Sequence, residues 1–194
     1  MLDFDISIWL LGILLLIMYC VYLRKKRNEE FISVFFNALF FIYILQVLRF
    51  TIFPIPIFSP TIREISSKID ILSTINIKPF ANITLNRQFY YNILLTIPFG
   101  FLLPLLRNKS IKKVLLKGIT FSISVELLQL LISFLIKFPY RTCDINDIVL
   151  NTFGVFMGFI LWKLFTVILK AITKKSNLKN DKFINYILGQ KIFR

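Results

Sequence analysis

Five long apolar runs dominate the chain, and charged residues collect in the gaps between them. The runs are 6–23, 31–53, about 89–106, 114–136 and 148–169. Each is close to the roughly 17–25 residues that a helix needs to cross a bilayer. Backbone groups in lipid must be satisfied within their own segment, so such runs are helices. The pattern predicts an all-α, polytopic membrane helical bundle of about five transmembrane helices. No linker is long enough to separate a second domain. Residues 1–170 therefore read as a single transmembrane domain and 171–194 as a basic cytoplasmic tail. Within the tail, Phe183, Ile184, Ile187 and Leu188 lie among lysines. They fit either an inner-surface helix or a frayed basic end. There is no internal repeat.

Charge orients the bundle. The first connection carries Arg24, Lys25, Lys26 and Arg27, and the third carries Arg107, Lys109, Lys112 and Lys113. The tail carries seven more basic residues, from Lys170 to Arg194. With five spans these three segments share one side, which the positive-inside rule makes cytoplasmic. The expected orientation is N-outside, C-inside. The leader Met1-Leu2-Asp3-Phe4-Asp5 is acidic with no small-residue cleavage site after it, so the first run is expected to be an uncleaved anchor. The formal charge of +14 sits at the ends of apolar runs rather than on a separate basic domain. The expected partners are therefore membrane lipids with anionic headgroups, not nucleic acid. Histidine is absent, which excludes Ser-His-Asp and Cys-His catalysis and every histidine metal site. Cys20 and Cys143 fall on opposite sides of the membrane, so no disulfide is expected.

Two stretches depart from plain apolar helix. The third run contains Pro98, Gly100 and Pro104. Pro98 has no N–H, so the Leu94 carbonyl loses its helical partner. This fits an ordinary packed kink, or freed backbone that lines a cavity. In the long connection before it, Thr61 and Glu64 form a capping-box pattern, and Ile62, Ile65, Ile69 and Leu72 share a helical face. A short extracytoplasmic amphipathic helix is expected there. Asn76-Ile77-Lys78-Pro79-Phe80 then reads as an ordered turn.

The polar residues inside the apolar runs are few and clustered. Glu126 lies within the fourth run, where a charge costs on the order of 2.5–3.5 kcal/mol on insertion scales. Gln129 and Ser133 share its helical face at i+3 and i+7. Asp144, Asp147 and Asn151 repeat that spacing at the start of the fifth run. Asp144 or Asn146 would cap this helix, and Asp147 would favour its positive end. A short loop joins the two helices, so they are antiparallel neighbours whose polar faces can meet. Gly154 and Gly158 permit close helix approach. Arg49 lies nearer the outer interface, placed to snorkel outward or to pair with Glu126 or an aspartate. Asn92 completes the polar ring, with Arg141 in the loop. Several chemistries are open to this set. Carboxylates serve acid–base work, Glu126, Asp144 and Asp147 suit a hard divalent cation, and Arg49 and Arg141 suit a phosphate or carboxylate. A network that merely locks the bundle uses the same residues. No recognisable nucleophile is present, and no metal or cofactor is expected.

These motifs resemble the VanZ-like family of bacterial integral membrane proteins. The matching stretches are Asn92-Ile-Leu-Leu-Thr-Ile-Pro98-Phe-Gly100-Phe-Leu-Leu-Pro104 and Ser124-Val-Glu126-Leu-Leu-Gln129. They continue with Arg141-Thr-Cys-Asp144-Ile-Asn-Asp147-Ile-Val-Leu-Asn151-Thr-Phe-Gly154 and Gly158. Asn76–Phe80 is similar to the family's loop motif, and the resemblance covers roughly 40–165. It implies a multi-pass protein of the bacterial cytoplasmic membrane in a cell-envelope context, because the family takes its name from a protein linked to teicoplanin resistance. The expected function is an outward-facing polar cavity for a lipid-linked envelope precursor or a glycopeptide, contributing to glycopeptide resistance. An intramembrane lipid-modifying enzyme and a small transporter are the alternatives, and non-enzymatic action is favoured.

Overall fold

The computed structural model describes residues 2–56, 70–80, 85–106, 110–175 and 181–189. Five helices within them are long and apolar enough to cross a membrane. Helix α1 spans Ile6–Lys25, α2 Phe31–Thr51 and α3 Arg87–Leu102, with a 3-10 turn at Leu103–Leu106 extending α3. Helix α4 spans Ile111–Ile136, α5 Ile145–Lys175 and the short α6 Lys182–Leu188. The chain is an all-α, multi-pass membrane bundle, as its apolar pattern predicts.

The burial pattern inverts that of a soluble bundle. On α4 the buried stripe is Val114, Gly118, Ser122, Val125, Glu126, Gln129 and Ser133. Leu127, Leu128, Leu131, Phe134 and Leu135 are exposed on its other side. Lipid is as apolar as leucine, so small and polar residues gain most by turning inward, where they pack closely and find hydrogen-bond partners.

Helices α3 and α5 form the centre. A Cβ added at Gly100 would collide with the Val155 carbonyl. One at Gly154 would strike Thr96 and the Ile93 carbonyl, and one at Gly158 the Ile97 carbonyl. Glycines thus let the two backbones touch, and the close approach expected of Gly154 and Gly158 is made to α3. Thr96 fastens the crossing by donating to the Asn151 carbonyl at 2.8 Å. Pro98 does not end α3. The Tyr43 hydroxyl of α2 donates to the Leu95 carbonyl, 2.8 Å away and one residue beyond the carbonyl singled out from sequence. Phe99 stacks on Phe121 of α4 with ring centroids 4.9 Å apart.

Helix α1 packs on α2 at the edge, with the Tyr19 hydroxyl donating to Asn37 at 3.0 Å. Asp5 caps α1 by accepting from the Ser7 and Ile8 amides. The apolar tail residues form α6, which docks on the bundle rather than lying free. Ile187 is buried, Tyr186 stacks on Phe36, and the Tyr186 hydroxyl donates to the Leu105 carbonyl. Most of the amphipathic helix expected around 61–72, residues 61–69, lies outside the described residues. Leu72 lies in a 3-10 turn, Ile71–Thr74, capped by Asp70. Cys20 and Cys143 are both free thiols.

Candidate functional site: a polar cavity among the helix ends

The C-terminal ends of α2 and α4 and the N-terminal ends of α3 and α5 meet on one face of the bundle. Helix ends carry carbonyls and amides without intrahelical partners. In an apolar setting those groups must be met by side chains, and the inward-facing polar residues do this.

Glu126 meets the start of α5. Its Oε2 accepts from the Asp144 amide at 3.1 Å. The positive end of a helix dipole favours a carboxylate there, which offsets part of the cost of burying it. Gln129 turns to α2 and donates to the carbonyl of Thr51, the last residue of that helix, at 2.9 Å. Asp144 accepts from the Asn146 amide at 2.8 Å and so caps α5, as one of the two candidates expected. It also accepts from the Asn76 amide side chain at 2.9 Å. The ordered turn at 76–80 is anchored by these bonds. Strand β1, Ile75–Asn76, pairs in parallel with β2, Cys143–Asp144, and the Phe80 amide donates to Asn146 Oδ1 at 2.7 Å.

Asp147 lies in the first turn of α5 and faces α3. It accepts from Gln88 at 3.1 Å and from Asn92 through a short hydrogen bond. Asn151, a further turn in, donates to the Ser122 hydroxyl of α4 at 2.9 Å. Its Oδ1 is buried and has no hydrogen-bond partner among the described residues.

These side chains surround a cavity of about 1100 Å³. Glu126, Gln129, Asp147, Asn151 and Asn92 line it with Val125 and Leu95, and Arg87, Gln88, Tyr140 and Arg141 border it. Phe50, Tyr91 and Leu94 complete the wall. They are 63%, 62% and 60% exposed, so this side of the cavity wall is apolar and lies on the outer surface of the bundle.

A family model described as VanZ/LLP1 matches residues 40–166. The chain belongs to the VanZ/LLP1 family. The matched stretch runs from mid-α2 to mid-α5 and contains every helix end that borders the cavity. No curated protein and no solved structure matches the chain.

Six of the eight residues expected at the site line the cavity: Glu126, Gln129, Arg141, Asp147, Asn151 and Asn92. Asp144 is in the network but not in the wall, since its carboxylate is turned to Asn76 and the α5 amide. Arg49 is not brought in. It is exposed on α2, with its guanidinium 5.8 Å from the Phe50 ring, and does not border the cavity. Among the described residues no group of three or more acidic or thiol side chains is placed to hold a metal ion. Burial, and then the carboxylates of Glu126, Asp144 and Asp147, push the Cys143 thiol above its ordinary value. A thiol so disfavoured from ionising is a poor nucleophile near neutrality.

Sequence reasoning passed over Arg87 and Gln88. The signal was present: Gln88 and Asn92 stand four apart, hence on one face of α3, at the polar border of an apolar run.

Proposed function

We propose that this protein serves the bacterial cell envelope from the cytoplasmic membrane, binding a lipid-linked or headgroup-bearing ligand in its polar cavity. By the positive-inside rule the cavity faces outward, because the basic connections at Arg24–Arg27 and 107–113 lie at the opposite helix ends. The observation that carries this reading is the pairing of a polar interior with an apolar lateral wall. An amphiphile needs both, whereas a soluble solute needs only the first. A volume of about 1100 Å³ is at the large end for small-molecule sites, which run to roughly 1,000 Å³. Protection against teicoplanin-type glycopeptides would follow from altered display or access of the drug's target at the membrane.

The test is teicoplanin susceptibility in a sensitive host expressing this chain, with membrane abundance matched. Wild type is expected to raise the inhibitory concentration, and Glu126→Gln and Arg141→Ala to abolish the increase. Full protection by both variants would contradict a role for the cavity.

A further inference from the structure

The cavity sorts its polar groups by kind. The floor offers acceptors, the carboxylates of Glu126 and Asp147. Asn151, only 7% exposed, lines the same floor and donates to Ser122. The cations, Arg87 and Arg141, stand at the exposed rim. Guanidinium groups bind phosphate through paired N–H donors. The third feature is the apolar lateral wall formed by Phe50, Tyr91 and Leu94.

From this order of groups, and resting on the reading of the cavity as a lipid site, we infer that its ligand is an amphiphile with a zwitterionic head. A phosphate sits at Arg87 and Arg141, a primary ammonium enters to Glu126 and Asp147, and the chains leave between α2 and α3. The ammonium is the better fit to the floor because it carries three donors and a charge opposite to the two carboxylates. A quaternary ammonium has the charge without N–H donors. A glycerol head has donors without the charge.

The experiment uses the purified full-length protein and native mass spectrometry, with phosphatidylethanolamine, phosphatidylglycerol and phosphatidylcholine of identical chains. The ethanolamine lipid is expected to be retained roughly tenfold better than either other lipid, in keeping with a charge-assisted hydrogen bond. Asp147→Asn and Glu126→Gln, each checked for an unchanged elution profile, are expected to shrink that preference to about twofold or less. Arg87→Gln with Arg141→Gln is expected to weaken all three lipids alike. Equal retention of the three lipids by wild type would overturn the ammonium assignment while leaving a lipid site in place. Retention of none above a non-specific level would overturn the lipid reading itself. A preference that survives both carboxylate variants would place the selectivity elsewhere.

Discussion

At the scale of single residues, Asp144 is the point on which the site's frame depends. One carboxylate caps α5 and holds Asn76, while the Asp144 amide satisfies Glu126. Replacing it with alanine removes the cap and leaves the Asn76 amide without this acceptor. The expected cost is about 1–3 kcal/mol, read as a lower midpoint in thermal unfolding of the detergent-purified protein. Asp144→Asn, which keeps a capping oxygen, is expected to lose less than Asp144→Ala. An alanine variant as stable as wild type would mean that the turn is held by other contacts. The spacing of Asp144, Asp147 and Asn151 made them legible as one helical face. It did not reveal that Asp144 serves the backbone while Asp147 serves the cavity, because that division depends on the turn at 76–80, which lies far away in sequence. Arg49 shows the opposite limit. A charge within an apolar run signals a polar environment, but an arginine near a helix end also reaches the interface along its own stem.

Among elements, the glycine contact of α3 with α5 sets the distance between helices and therefore the shape of the cavity. Carbonyl groups, not flexible side-chain ends, would meet a methyl at Gly158 and Gly100. Gly158→Ala is expected to destabilise by about 1–3 kcal/mol or more, seen as a smaller monodisperse fraction after heating in size-exclusion chromatography. Ala at Gly118, facing the Val155 side chain, is expected to cost less, because a side chain yields more readily than backbone. Indistinguishable behaviour of the two variants would argue against a backbone-to-backbone seam. The four-residue spacing of Gly154 and Gly158 announced a close contact from sequence alone. The partner was not announced, since periodicity defines a face and not what packs on it. Here the partner is α3, although α4 is nearer along the chain. Likewise, proline and glycine in the third run suggested a broken helix. The structure keeps α3 continuous through Pro98, with Tyr43 supplying a hydroxyl beside the proline.

At the scale of the whole molecule, two opposed requirements shape the chain. Lipid rewards an apolar exterior, which is why the five spans were plain from composition and run length. Helix ends within that exterior still require polar partners, and the molecule gathers four of those ends around one cavity. The lateral wall at Phe50, Tyr91 and Leu94 was not legible, because three apolar residues in apolar runs carry no mark of lining a polar space. The claim on which the functional account turns is that an amphiphile enters this space. Site-specific photo-leucine, an isosteric replacement, tests it at Leu95, which lines the cavity, against Leu103, which is buried in the core at 4% exposure. After illumination in native membranes, intact-mass analysis should show a lipid-mass adduct at Leu95 and none at Leu103. A Leu95 site as silent as Leu103, in protein of equal abundance, would contradict the account.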